Sequence, residues 1–176
     1  MRLSKTLAAI LLCATTLTLP TATAAAARPS QKNRPSKVQA PAPHTEITKE
    51  KIEAIVAALE DAPKKRDFAA VVPYLAPDFQ YKLDGGGRPT REANRTKYVE
   101  IIKLVSAVTL DYTYLRKSLT ITVAPGGQSA TARIDAFEMV TMAQGTVAGN
   151  SIGLTTFKIY KGRILISAME ATIEYV

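Results

Sequence analysis

The stretch Asp67–Asp84, DFAAVVPYLAPDFQYKLD, decides the fold of this chain. Asp67 is a candidate N-cap for a short helix, Phe68–Leu75, and the two prolines of the stretch predict a sharp break at its end. The alternating residues from Phe79 to Leu83 predict a strand. That strand stops at Asp84, directly before three glycines, so the sequence places a carboxylate at the edge of a pocket.

Helical periodicity is found on both sides of this stretch. Apolar residues at positions i, i+3, i+4 and i+7 predict a helix from Thr48 to Asp61. After the glycines we predict a third helix, which Thr90 would cap. Beyond Ser106 the period changes to two, which predicts long strands. These strands are Val108–Val123, Ser129–Met142, Ser151–Tyr160 and Arg163–Tyr175. The pattern predicts an α+β fold with three N-terminal helices packed on a strongly curved antiparallel sheet.

The first 45 residues are predicted to lie outside this domain. Residues 1–27 combine the basic Arg2 and Lys5, an apolar run and small-residue cleavage sites, as a secretory signal peptide does. Residues 28–45 are rich in Pro, Ala and Lys without apolar periodicity, which predicts a disordered linker. Residues 46–176 then form one domain. We expect an exported protein, periplasmic or secreted, without a stable membrane anchor.

Charge and composition exclude several classes of partner and site. The whole chain has a net charge of +8, but residues 46–176 hold 17 basic and 15 acidic residues and are nearly balanced. A domain that grips phosphates keeps its positive charge in the folded part, so nucleic acid is not an expected partner. The single cysteine, Cys13, and the single histidine, His44, both precede the domain. We therefore expect no metal site, no disulfide and no cofactor.

The order of the elements resembles the NTF2-like superfamily. That group includes ketosteroid isomerase, scytalone dehydratase and the SnoaL-like polyketide cyclases. The resemblance is carried by the pattern D-F-x-x-h-x-x-h-h-A-P-D-F-x-h, in which h is apolar, between the first helix and a long-stranded meander. The matching residues are Asp67, Phe68, Leu75, Ala76, Pro77, Asp78 and Phe79. The resemblance covers residues 46–176 and implies a cone-shaped fold with a deep pocket at its open end. It also implies a homodimer, because members of the family often pair through the outer face of the sheet.

The resemblance points to Asp84 as a candidate catalytic base. In ketosteroid isomerase the base follows the strand after the second helix, and Asp84 falls within about one residue of that place. A simple aspartate at the start of a glycine turn explains the same residue. The two hydrogen-bond donors of that enzyme correspond to positions near Ile55 and Thr155, so its way of stabilising an enolate is not expected here.

Four tyrosines and one acid are the candidate ligand-binding residues. A tyrosine offers a ring for packing and a hydroxyl for a ligand, and an acid on an apolar strand face needs a partner. The candidates are Tyr81, Tyr98, Tyr112, Tyr114 and Glu138. Glu170 shares its predicted strand face with Ile164 and Ile166 in the same way.

Three functions are compatible with this sequence. The first is a domain that binds a small apolar ligand in its cone or acts as a dimerising interaction module. The alternative is a cofactor-free proton-transfer enzyme, a cyclase, isomerase or dehydratase, with Asp84 as general base. A third is a component of an envelope assembly, as in secretion-system proteins of this fold.

Overall fold

The computed structural model describes residues 46–176 and contains three helices and six strands in that range. In chain order they are α1 (Lys49–Lys64), a 3₁₀ helix (Phe68–Tyr74), β1 (Leu75–Gly85), β2 (Arg88–Asn94), α2 (Arg95–Val108), β3 (Thr109–Val123), β4 (Ser129–Met142), β5 (Gly145–Tyr160) and β6 (Arg163–Tyr175). The predicted signal peptide, 1–27, and linker, 28–45, lie outside the described residues and stay predictions. No helix within 46–176 combines the length and apolar character that a membrane crossing requires.

The six strands form one curved sheet in the order β2-β1-β6-β5-β4-β3. All neighbouring strands are antiparallel except β1 and β6, which run parallel. The predicted α+β class, with three helices on a curved sheet, is confirmed. The parallel pair corrects the expectation of a purely antiparallel sheet, because side-chain alternation does not encode which distant strand becomes a neighbour.

The third helix begins later than predicted, and a strand replaces its expected first turn. Asn94 caps α2, and its side chain accepts a hydrogen bond of 3.0 Å from the backbone N–H of Lys97. Thr90 lies in β2 instead, which pairs antiparallel with β1 through contacts such as Lys82 with Glu92. The hairpin partner satisfies the backbone of this segment, so the helix starts only after β2 ends. At α1, by contrast, the predicted cap Thr48 is confirmed.

Irregularities in strand pairing bend the sheet around the helices. The register shifts between Leu75 and Gln80 in β1, within β3, and next to Phe157 in β5. Such bulges increase the twist and curvature of a strand. Large apolar side chains fill the concave side between the sheet and the helices. Those with 0% exposure are Ile52, Phe79, Phe157 and Ile166.

The shift in register between β5 and β6 also changes one predicted side-chain orientation. Ile166 is fully buried on the inner face, opposite Phe157. After the shift the residue facing inward is Met169, which pairs with the buried Thr155. Glu170 is therefore exposed, and the prediction that it shares a face with Ile164 and Ile166 was wrong.

Candidate functional site

The helices and the concave face of the sheet surround a cavity of about 190 Å³. Both α-helices, the 3₁₀ helix and strands β1 and β3–β6 contribute to its wall. The wall is mainly apolar and includes Val56, Leu59, Phe68, Val71, Ile101, Ile102, Val105, Ile134, Phe157 and Met169. An apolar cavity of about 150 Å³ is large enough for benzene. This one accommodates a small organic molecule.

The hollow exists because the inner row of β5 carries small side chains. Gly153 and Ser151 line the cavity, and Thr155 lies next to them on the same face. Gly149 continues the row and pairs with Glu138 of β4. A larger residue at Gly153 would extend into this space, because the nearest atoms to its missing β-carbon are 4.0 Å away. The chemistry of the cavity is consequently concentrated in the few polar groups on its wall.

Glu138 is the acid at the centre of these polar groups. Alternation along β4 directs it inward together with the buried Ala136 and Val140. The Tyr112 hydroxyl donates to its Oε2 at 3.0 Å, and the Ser151 hydroxyl donates to its Oε1 at 2.6 Å. Each oxygen of the carboxylate therefore has one neutral donor. This compensates part of the cost of placing an acid in apolar surroundings.

The tyrosines around Glu138 remain hydrogen-bond donors at neutral pH. Burial raises the pKa of Tyr98 and of Tyr112, and the negative charge of Glu138 raises both further. Burial also raises the pKa of Tyr114, with Glu60 and Glu138 adding to the effect. Their hydroxyl groups stay protonated well above neutral pH. They are suited to orienting a polar group of a ligand.

The aromatic rings on the cavity wall contact one another in two groups. The ring centroids of Tyr81 and Tyr98 lie 4.7 Å apart. Those of Tyr112 and Tyr114 lie 6.4 Å apart, and Tyr112 also meets Phe68 edge-on at 5.9 Å. All five residues line the cavity. The structure thus brings together the four predicted tyrosines and Glu138.

Asp84 is separated from this group. It is not among the residues that line the cavity, and its side chain is 42% exposed at the end of β1. The Thr90 hydroxyl donates to its carboxylate, and the Lys82 ammonium lies 3.5 Å away. The hydrogen bond from Thr90 lowers the pKa of Asp84, and the charge of Lys82 lowers it further. Asp84 is an ionised surface carboxylate, and its role as a base stays a prediction without geometric support.

Two polar residues of the cavity were missed in the sequence. Ser151 was predicted only as the first residue of a strand. The row of small residues on one face of β5 is the sequence pattern that could have identified it as a cavity residue. Glu60 follows Leu59 on α1, where the boundary between the apolar and polar faces lies. Its side chain is 13% exposed and pairs with Arg116 at 3.3 Å. Within residues 46–176 no three His, Cys, Asp or Glu side chains cluster as metal ligands would.

Solved structures identify this architecture. One is an NTF2-like protein with a cystatin-like fold from Novosphingobium aromaticivorans, 18% identical, covering 70% of this chain and 80% of its own, with a TM-score of 0.52. A second is a proposed dehydratase of the NTF2-like family from Streptomyces avermitilis, 13% identical over 72% and 96% of the chains, with a TM-score of 0.59. A third is hexachlorocyclohexane dehydrochlorinase from Novosphingobium barchaimii, 10% identical over 71% and 86%, with a TM-score of 0.56.

At these identities the likeness concerns the fold alone. Neither the protein-family models nor the curated protein sequences compared with this chain match it. The similarity to these solved structures therefore shows that the helices and the sheet form the NTF2-like cone. Chemistry has to be argued from the side chains of this cavity, since one fold supports many activities.

Proposed function

Because the chain has the NTF2-like fold around a mainly apolar cavity, we propose that it binds a small, largely apolar ligand there, as an exported protein. The observation that carries this proposal is the position of Glu138, Tyr112 and Ser151 on the wall of that cavity. Ligand sites are commonly apolar hollows with a few convergent polar groups that fix orientation. The ligand's apolar part would contact the helices, and one polar group would face Glu138.

A cavity-filling substitution tests this proposal. The β-carbon that Gly153 lacks would point into open space, with its nearest neighbours 4.0 Å away, so a larger side chain fits without backbone strain. We expect Gly153→Ile to prevent ligand binding at an unchanged or higher melting temperature, because isoleucine also favours a strand. Asp84→Asn, outside the cavity, is the matched control and should bind as the wild type does.

Native mass spectrometry of the purified proteins, followed by identification of any released molecule, is the first measurement. The wild type and Asp84→Asn should carry a bound molecule that Gly153→Ile lacks. If nothing co-purifies, a thermal-shift titration with toluene replaces mass spectrometry. Toluene should then stabilise the wild type and Asp84→Asn but not Gly153→Ile. Equal responses of all three proteins would contradict the proposal.

Proton transfer is the second candidate function, favoured by the acid inside the cavity. Two of the neighbours are named for elimination reactions, a dehydratase and a dehydrochlorinase. In such a reaction Glu138 is better placed as the base than Asp84, because it lies on the wall of the cavity and Asp84 does not. The binding function requires less of the site, because it needs no further group to stabilise a transition state.

We also propose that two copies associate through the outer face of the sheet. Leu115, Ile152 and Leu154 are exposed by 62%, 43% and 40%, and Leu115 pairs with Phe137. These four residues form what we call the outer patch. Exposed apolar patches often mark interfaces.

We expect Leu154→Lys to convert a dimer into a monomer in analytical ultracentrifugation, since it places a charged and strongly hydrated group in an apolar contact. Leu110→Lys makes the same change at a residue that is 56% exposed and outside the outer patch, so it should leave the assembly intact. A wild-type protein that sediments as a monomer at high concentration would exclude the dimer.

A further inference from the structure

The charged residues around the cavity are all acidic. Among the described residues, Glu60, Glu138 and Glu170 border it, and no lysine, arginine or histidine lines it. The side chain of Glu170 lies on the outer side of β6. Glu60 is neutralised by Arg116 at 3.3 Å, and Glu170 is exposed to solvent. None of the ion pairs found within residues 46–176 includes Glu138. A ligand inside the cavity would therefore contact the charge of Glu138.

Glu138 has hydrogen-bonding capacity left for a ligand. A carboxylate accepts about four hydrogen bonds, and the hydroxyls of Tyr112 and Ser151 supply two. Both of these donors are neutral. A cationic donor forms a shorter and stronger bond to a carboxylate than a neutral one does, and the surrounding apolar wall increases the attraction.

The aromatic side of the cavity also suits a positive charge. Phe68, Tyr112 and Tyr114 follow one another at ring distances of 5.9 and 6.4 Å, and Tyr112 contacts Glu138. The faces of aromatic rings attract ammonium groups. A ligand carboxylate in the same place would be repelled by Glu138, and no cation among residues 46–176 lines the wall to offset the repulsion.

We propose that the ligand is a small hydrophobic amine, bound as the ammonium ion, which pairs with Glu138 while its apolar part fills the remainder of the cavity. This inference rests on the proposed binding function and specifies the class of ligand. It requires no covalent step and no additional group.

Three probes of similar size separate charge from apolar fit. Phenethylamine, phenethyl alcohol and phenylacetate share an aromatic ring and a short chain, and they differ in the charge of the polar end. In isothermal titration calorimetry of the full chain, the amine should bind about tenfold more tightly than the alcohol, and phenylacetate should bind most weakly. Glu138→Gln should lower the affinity for the amine to that for the alcohol. The exposed Glu92 provides the control Glu92→Gln, which makes the same charge change and should leave all three affinities unchanged.

The outcomes distinguish the two proposals. If the alcohol binds as well as the amine, or if Glu138→Gln retains the preference for the amine, the ligand is not an amine and the binding function stands. If none of the probes binds to the wild type, the amine proposal fails, and the co-purification and toluene measurements decide the binding function. If Glu138→Gln does not fold, as its melting curve would show, the ranking of the three probes on the wild type decides alone.

Discussion

Phe79→Ala is expected to destabilise the domain by about 3–5 kcal/mol, the usual cost of removing a buried phenylalanine. Phe79 has 0% exposure, and the centroid of its ring lies 5.1 Å from that of Tyr98. Alanine would leave a void next to the ligand cavity, and the ring of Tyr98 would lose one of its supports. Because a domain of this size is stable by only about 5–15 kcal/mol, this loss is a large part of the total.

The free energy of unfolding in urea, extrapolated to water, measures this effect. Phe79→Leu is the matched variant, because it keeps most of the apolar volume and should lose less than half as much stability. A loss below about 1 kcal/mol for Phe79→Ala, typical of a surface substitution, would show that Phe79 is not in the core.

Gly85→Ala is expected to cost about 3 kcal/mol or more, because it combines backbone strain with a collision. Gly85 has a φ of +102°, which residues with a β-carbon rarely adopt. An added β-carbon would collide with the backbone oxygen of Ile173 in β6. The same oxygen accepts a hydrogen bond of 2.9 Å from the N–H of Gly86. The collision is therefore relieved only by opening the parallel β1–β6 pair.

Gly87→Ala is the matched control for this substitution. Gly87 also has a positive φ, +69°, but no atom lies within 4 Å of the position of its missing β-carbon. The Gly87→Ala variant should lose only the stability that backbone strain costs, about 1–2 kcal/mol. Chemical denaturation of both variants compares the two costs directly. Equal losses would mean that Gly85 is not packed against β6 as the structure has it.

The sequence predicted those features that nearby residues encode. The apolar stripe of α1 and its cap, Thr48, depend on residues within a few positions of each other. Alternation along β4 correctly placed Glu138 on the inner face with Ala136 and Val140. Four tyrosines were assigned to the pocket because amphipathic rings suit its wall, and the structure places all four there.

Predictions that depended on pairing between distant segments were less accurate. Thr90 was predicted to begin a helix, but it lies in β2 because this segment pairs with β1. The register shift next to Phe157 moved Glu170 to the exposed side of β6. Asp84 was expected at the mouth of a pocket, but the β1–β2 hairpin brings Thr90 to its carboxylate at the surface. Each of these outcomes depends on which strands become neighbours and in what register.

The chain by itself determined its class, the apolar stripe of α1, the alternating faces of β4, and the supply of hydroxyl and carboxyl groups for the inner face. These properties follow from periodicity, which is local. Only the tertiary structure decided that Tyr112 and Ser151 both donate to Glu138 and that the small residues of β5 leave a hollow beside them. Those contacts join β3, β4 and β5, and their geometry depends on strand register and sheet curvature, which no short segment of sequence contains.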